Sequence, residues 1–522
     1  MTRLCLWTRT AFLILCCLIA VPRAAQADSQ DIAAAARTVV RVALVATRDD
    51  SAYFVGHGSG IVVAPDKILT NAHVVELVRQ EPNIVIGIIP AEGKRSYGAK
   101  IIAFSPGNDL ALLQIKEGVL PVSTFFASTP QDGQSVIAIG YPGTVDRAQG
   151  MGLSDIIQPM TPVKTSGTVS TGRSSKQYDT VLHTAPMASG NSGGPLVDNC
   201  GRVLGVNSFG SLSDGNDAEY GFAVSNREVG SFLRQAGVQP LRTVIPCRSL
   251  AEIDAAERTA AERARVEAET RAAAEAGGVR ERAIRARQDA EQAIIAAREN
   301  FIAAAAVLLA LSVVCAGGAG IAQVQNRPVH VRRFAIGGAI LFVGALAAFF
   351  LRPQFSEVDD RAAAIANAMG KNDAAAGHVA PRPGMAGDNI CRIDLDRSRV
   401  TVSDTTDVPL NWTSNGCLNG KTQFVQNGST WGRAFVPNDE PSISIRSIDP
   451  ATGTYRSEKY ALDALTAEAA RNTRGVVTFE GCTVDAAKLG ALEGMEREIR
   501  ALLPPEPNER LVYRCTPTAG AR

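Results

Sequence analysis

Phe301 to Val324 runs 24 residues without a charged side chain, and Phe334 to Leu351 runs another 18. Each run is long enough to cross the hydrocarbon core of a bilayer as a helix. Inside lipid every backbone polar group must be satisfied within the protein, so these runs constrain the fold more tightly than anything else in the chain. Only residues 325–333 separate them, and the pair reads as a transmembrane hairpin. Gly317-Gly318-Ala319-Gly320 and Gly337-Gly338 supply small surfaces on which two such helices can approach closely. Arg327, Arg332 and Arg333 in the loop favour its cytoplasmic side. Arg282, Arg285, Arg287 and Arg298 ahead of the first span blur that signal. The N-terminus orients the chain better. Arg3 and Arg9 precede an apolar run, Ala11 to Val21, and Ala25-Gln26-Ala27 is a small-x-small cleavage site. Residues 1–27 thus read as a signal peptide, with an uncleaved anchor helix as the alternative. Both large soluble parts are expected on the exported side.

The remaining segments differ sharply in character. Residues 28–248 contain short β-type runs punctuated by Gly, Pro, Asn and Asp. Thr38–Ala46, Ser59–Ala64, Asn83–Ile89, Leu110–Ile115, Ser135–Ile139, Thr180–Thr184, Arg202–Asn207 and Tyr220–Val224 are the clearest, and they point to an all-β barrel or sandwich. Residues 249–300 are rich in Ala, Glu and Arg, the composition of a long exposed helix of roughly 75–80 Å. Gly277-Gly278 is expected to interrupt it. Its few large apolar residues hold no heptad, which favours a solvated stalk over a strong coiled coil. Residues 352–388 read as a linker. Residues 389–522 read as a small α+β domain, with strands over Arg399–Val402, Lys421–Val425, Ser442–Ile448 and Arg510–Arg514 and a helix over Ala486–Leu503.

Six cysteines lie outside the leader and the apolar runs: Cys200, Cys247, Cys391, Cys417, Cys482 and Cys515. An even number in exported domains favours disulfides. Their division into two and four favours a Cys200–Cys247 bridge, leaving four cysteines to staple the last domain. A net charge of +1 gives no reason to expect a nucleic-acid partner.

Three segments carry chemistry. Thr70-Asn71-Ala72-His73-Val74-Val75 ends a strand, Asn108-Asp109-Leu110-Ala111-Leu112-Leu113 begins one, and Gly190-Asn191-Ser192-Gly193-Gly194-Pro195 is a serine among glycines. Serine is a poor nucleophile until a neutral imidazole takes its proton. That imidazole needs an anion on its other nitrogen to fix the tautomer and stabilise the imidazolium. Bare backbone beside the serine lets amide N–H groups approach a developing oxyanion. His57 and His183 are rival histidines without such a strand-end context.

The three segments resemble those of trypsin-fold serine proteases, most closely the Deg/HtrA branch of bacterial envelope proteases, over roughly residues 37–235. The resemblance implies a double β-barrel with the site in the cleft between the barrels. It implies His73 as general base, Asp109 as its orienting acid and Ser192 as nucleophile. The N–H groups of Gly190 and Ser192 would form the oxyanion hole, and Asn207-Ser208-Phe209 would pair with substrate backbone. The specificity pocket would be lined near Ser189, Asn207 and Tyr220–Ala223, where no acidic residue falls, so a small or aliphatic side chain is expected there. Polypeptide substrates are implied, and no cofactor or metal. The expected location is the bacterial inner membrane, with the protease and C-terminal domains on the periplasmic side.

The chain departs from that branch after the protease domain, where one or two PDZ domains usually follow. Here the stalk, hairpin and cysteine-containing module stand instead, so control by PDZ domains and cage assembly do not carry over. Homo-oligomerisation through the stalk or hairpin stays open. A membrane-bound peptide-binding or sensory protein with an inert protease-like domain is the competing reading.

Overall fold

The computed structural model describes residues 29–48, 51–174, 178–211, 219–324, 326–374, 385–403, 405–475, 477 and 481–518. The signal peptide expected over residues 1–27 lies outside the described residues. The described residues up to Glu257 pack with those from 385 onward as one unit, and the segment beginning at Arg258 forms a second.

Six antiparallel strands close the first barrel: β1 (Val39–Arg48), β2 (Ser51–Ala64), β3 (Lys67–Thr70), β4 (Ile84–Pro90), β5 (Tyr97–Ser105) and β6 (Leu110–Ile115), in the order β1-β2-β3-β6-β5-β4. Val40, Val42, Ile68, Ile88 and Leu113 fill its interior, each fully buried. Close packing at Gly60 explains one glycine, because a Cβ there would meet Ile68 at 2.6 Å. The Pro65-Asp66 turn joins β2 to β3, and Asp66 anchors it by accepting from Lys67 at 2.9 Å and Gln114 at 2.8 Å.

The second sheet comprises β7 (Thr124–Phe126), β8 (Ser135–Gly140), β9 (Val163–Ser174), β10 (Asp179–His183), β11 (Pro195–Val197), β12 (Val203–Gly210), β13 (Gly221–Ser225) and β14 (Leu241–Thr243). Pairing of β11 with both β8 and β12 closes its central strands on themselves. Alternate residues fill that interior, among them Val136, Ala138, Val181, Leu196 and Ala223. A larger cluster lies between the barrels. Val39, Ile61, Leu69 and Leu112 meet Ile139, Val197, Val206 and Val224 there, with Phe232 and Leu233 of the helix Asn226–Gln235 closing the end. The two barrels share one apolar seam, so the loops at its rim are held on rigid scaffolds.

The last domain is a nine-stranded antiparallel sheet: β15 (Gly387–Ile393), β16 (Val408–Trp412), β17 (Cys417–Leu418), β18 (Thr422–Gln423), β19 (Val425–Asn427), β20 (Thr430–Phe435), β21 (Ser442–Asp449), β22 (Thr454–Ala461) and β23 (Glu509–Pro517), in the order β18-β17-β16-β15-β23-β22-β21-β20-β19. Helices Ala464–Arg474 and Ala486–Ala501 cover one face through Ile443, Ile445, Leu492 and Ile499. Trp412, Phe424, Tyr455 and Tyr513 build the core on the other. Arg399 makes only an isolated bridge to Arg510 rather than the expected strand. Its side chain is instead buried against the protease body.

Cysteines pair as 200–247, 391–515 and 417–482, in keeping with the expected division. The C-terminal sheet sits directly on the protease body. Arg399 and Asp31 form a buried ion pair, Asn508 Nδ2 donates to Asp31 at 2.8 Å, Arg399 Nε donates to the Arg248 carbonyl at 3.1 Å, and Arg37 donates to the Ala461 carbonyl at 2.9 Å.

Two expectations about the helical region are corrected. One helix runs unbroken from Leu250 to Val324, through Gly277-Gly278. Each glycine costs about 1 kcal/mol relative to alanine, which the surrounding Ala, Glu and Arg residues and i,i+4 pairs such as Glu281–Arg285 and Glu267–Arg271 offset. The supposed linker contains a helix of its own, Val358–Ala374, which packs through Val358 and Ile365 on Ala290 and Ile294. The second apolar helix spans Pro328–Phe350. Both are long and apolar enough to cross a membrane, with mean hydropathy of 2.4 and 2.0 over their most apolar windows. Their small residues meet only in part: a Cβ on Gly338 would lie 3.3 Å from Cys315, one on Gly318 would touch the Phe334 ring, and Ser312 Oγ donates to the Gly338 carbonyl at 3.0 Å, whereas Gly317, Gly320 and Gly337 face open space.

Asp31→Ala removes the carboxylate that pairs with the buried Arg399. Chemical denaturation of the detergent-solubilised chain should show a loss of about 3–5 kcal/mol, and Asp31→Ala/Arg399→Leu should recover much of it. Equal losses in the single and double variants would show that the ion pair does not hold the two domains together.

Candidate functional site

His73 stands at the second position of the helix Ala72–Gln80, immediately after β3. Asp109 follows the short 3-10 turn Pro106–Asn108 and precedes β6, in a left-handed conformation (φ 54°) that aspartate tolerates better than most residues. The β3–β6 pairing brings the ends of these strands together, with Thr70 opposite Ala111. Asn71 Nδ2 then donates to the Asp109 carbonyl at 2.8 Å and fixes the turn.

The Asp109 carboxylate accepts four hydrogen bonds from three donors. His73 Nδ1 lies 2.9 Å from Oδ2 and 3.0 Å from Oδ1, and the His73 backbone N–H donates to Oδ1 at 3.1 Å. From the second barrel, Ser208 Oγ donates to Oδ2 at 2.5 Å. Burial works to raise the Asp109 pKa, but the His73 hydrogen bond and charge, with Ser208 and the His73 N–H, hold it below the usual carboxylate range. A carboxylate that only accepts requires the proton of a neutral His73 on Nδ1, which leaves a lone pair on Nε2. The imidazole is half exposed at the cleft rim, while Asp109 lies beneath it.

Ser192 stands between the barrels, at the end of the turn that leads into β11. Its Oγ donates to the Ser208 carbonyl at 2.8 Å, and no hydrogen bond joins it to the His73 ring among the described residues. Its own carbonyl accepts from the Ser59 N–H at 2.8 Å, which pins the loop to the first barrel.

The loop ahead of Ser192 is held from several directions. The Gly143 N–H donates to the Ser189 carbonyl at 2.8 Å. In a planar trans peptide the N–H of the next residue points the opposite way, so the Gly190 N–H faces away from Gly143. It has no acceptor among the described residues. Ser59 Oγ donates to the Gly190 carbonyl at 2.7 Å and accepts from the Tyr141 N–H at 3.0 Å. Gly190 has φ 105°, and a Cβ there would lie 2.2 Å from the Tyr141 carbonyl and 2.7 Å from His57 Nε2. Glycine is required at this position.

The expected substrate strand divides. Asn207 is fully buried; its N–H donates to the Gly194 carbonyl, its carbonyl accepts from the Gly193 N–H, both at 2.8 Å, and its side chain donates to Pro195. It therefore braces the serine loop through both of its backbone groups. Ser208 sits at a register shift of β12 on β13 and joins Ser192 to Asp109. Phe209, stacked on Phe222, is exposed to the cleft.

Both rival histidines are enclosed. His183 packs under Gly221, and burial pushes its pKa down to about 4, with Asn207 opposing. His57 is nearly buried and its Nε2 lies 2.7 Å from the Tyr141 carbonyl. Burial holds its pKa below the usual range, the Tyr141 carbonyl opposing, with Arg41 adding to the depression and Asp146 opposing it. A buried Arg41–Asp146 pair at 2.9 Å lies beside it. Sequence reasoning missed the parts played by Ser59, Tyr141 and His57, since their link to Gly190 exists only once the barrels are folded together. It also gave Ser208 no role towards Asp109. No cluster of potential metal ligands occurs among the described residues.

The comparisons with known proteins agree on the first part of the chain. The trypsin-like peptidase domain model matches residues 58–206. Serine protease Rv3671c of Mycobacterium tuberculosis is 31% identical over 235 residues, covering 43% of this chain and 53% of that protein. Periplasmic serine endoprotease DegP of Escherichia coli is 28% identical over 191 residues, 35% of this chain and 36% of that one. The crystal structure of the active form of the M. tuberculosis Rv3671c protease aligns over 41% of this chain and 88% of that structure, at 26% identity and a TM-score of 0.32. The chain thus spans about half or less of the length of these curated relatives. Residues 58–206 belong to the trypsin-like peptidase domain family, and the chain is homologous through them to serine proteases of the Deg/HtrA kind.

Proposed function

We propose that this chain is a serine endopeptidase, tethered to a bacterial inner membrane by its two apolar helices, that hydrolyses exported polypeptides on the periplasmic side. The observation that carries the catalytic reading is the arrangement in which Asp109 binds His73 Nδ1 and Ser208 links Asp109 to Ser192. On binding substrate, Ser192 Oγ rotates from the Ser208 carbonyl to His73 Nε2. His73 takes the hydroxyl proton as Oγ attacks the scissile carbonyl, and Asp109 stabilises the imidazolium. The Gly190 and Ser192 N–H groups receive the oxyanion. His73 then gives the proton to the leaving amine, and water hydrolyses the acyl-enzyme by the same relay. Substrate backbone pairs with the strand edge at Ser208 and Phe209. The relatives named serine protease and periplasmic endoprotease support the reading, as do the three disulfides, which fit an oxidising compartment. Tethering raises the local concentration of membrane-proximal substrates.

A fluorophosphonate probe should label the wild-type protein and leave Ser192→Ala unlabelled. A folded wild type that fails to react would favour the inert, peptide-binding alternative. Asp109→Asn should retain the fold and lower kcat by about four orders of magnitude, because the histidine tautomer is then wrong. Near-normal turnover of a fluorogenic peptide would mean that another group orients His73. Gly190→Ala should reduce kcat by about 10²–10³-fold with a smaller change in KM, as its Cβ displaces the oxyanion loop from Tyr141. An unchanged kcat would remove Gly190 from the mechanism.

A further inference from the structure

The C-terminal sheet ends in a pocket of about 600 Å³ on the face opposite its two helices. Its volume falls within the range of small-molecule sites. Across β21 and β22, Arg446 stands opposite Ser457, and Ser444 lies next to it on the same face. Tyr455 and Tyr513, directly paired between β22 and β23, bring their rings to 5.5 Å at the pocket edge. The Arg446 guanidinium lies 4.2 Å over the Phe435 ring. Val408 and Leu511 add an apolar wall.

Among the described residues that line this pocket, Arg446 is the one charged group without a matching partner. Glu440 accepts from Lys459 at 3.2 Å and from Ser442 at 3.1 Å. Glu509 at the next strand accepts from the N–H groups of Thr401, Val402 and Ser403 at 2.8–2.9 Å. Arg446 has no ion pair and no side-chain hydrogen bond among the described residues. Its Nε is sealed from solvent without an acceptor. A half-buried guanidinium with its plane fixed by an aromatic ring and its outer nitrogens open to a pocket is prepared for bidentate capture of a planar oxyanion.

We propose that this pocket binds a carboxylate carried on a small apolar body. Arg446 forms the two-pronged contact, the Ser444 and Ser457 hydroxyls flank it, and Phe435, Val408 and Leu511 accommodate the apolar part. Carboxylate is favoured over phosphate because the pocket offers one guanidinium and neutral hydroxyls, with its lysine already matched by Glu440. A free carboxylic acid and the C-terminus of a peptide both present this chemistry.

Isothermal titration of the full chain in detergent, carrying Ser192→Ala so that no probe is cleaved, tests it. Three probes serve: 4-methylpentanoate, acetyl-Ala-Ala-Leu with a free carboxylate, and the same peptide as its C-terminal amide. At least one free acid should bind, the amide about tenfold or more weaker than the peptide acid, and Arg446→Gln should weaken the acid by a similar factor. Arg446→Lys should fall between. Binding of the methylpentanoate identifies a free acid as sufficient, whereas binding of the peptide acid alone identifies a chain terminus. Peptide held only in the protease cleft would be indifferent to Arg446→Gln, and that result overturns the proposal. So does silence from both acids, or equal affinity for acid and amide, which needs no variant to read.

Discussion

One carboxylate organises the cleft. Asp109 gathers the His73 ring, the His73 backbone and the Ser208 hydroxyl around two oxygens. His73 and Asp109 come from the first barrel and Ser208 from the second. The hydrogen bonds of Asp109 are therefore also a strut across the barrel interface, standing over the apolar seam of Leu69, Leu112, Val206 and Val224. Charge-assisted bonds of this kind are roughly twice as strong as neutral ones, and they sit where the half-exposed histidine most needs a fixed orientation. Ser192 Oγ, parked on the Ser208 carbonyl, shares that same second-barrel residue.

The loop ahead of Ser192 depends on a second set of contacts that cross the same interface. Ser59, from β2, bonds the Gly190 carbonyl and the Tyr141 N–H, and Gly143 bonds the Ser189 carbonyl. These bonds turn the Gly190 N–H outward and leave no room for a side chain. Behind them lie His57 and the Arg41–Asp146 pair, polar groups buried deeply enough that burial depresses the histidine pKa. The site is thus preorganised by polar groups distributed over both barrels, with the glycine at 190 forced by the Tyr141 carbonyl.

How much of this could be read in the sequence varied with the range of the interaction. Short apolar runs bounded by turn residues were visible in β1, β6 and β12, where burial is nearly continuous. The less regular Tyr97–Ser105 and Val163–Ser174, with Gly, Lys, Ser and Thr interspersed, carried too weak a pattern. His73, Asp109 and Ser192 stood out because each lies in a compact local motif. Ser59 and Tyr141 did not, since their role is to touch residues 131 and about 50 positions away. Asn207 was assigned to the substrate, whereas its backbone is consumed by Gly193 and Gly194. The double glycine at 277–278 looked like a break, yet the cost of two glycines is small against a helix of 75 residues. Arg399 looked like a strand residue and is a buried ionic anchor on Asp31, a partner 368 positions away.

The protease body and the C-terminal sheet form one unit, joined by Arg399 and Asp31, and the helix that leads to the apolar segments leaves from that body at Leu250. The central claim concerns the serine and its loop, and the most direct measurement is the crystal structure of the protein after reaction with a peptidyl phosphonate. The account predicts phosphorus on Ser192 Oγ, Oγ released from the Ser208 carbonyl and within hydrogen-bond reach of His73 Nε2, and the phosphonyl oxygen about 3 Å from the Gly190 and Ser192 nitrogens. An adduct with that oxygen directed away from both nitrogens, or a serine still bound to Ser208 and unmodified, would contradict it.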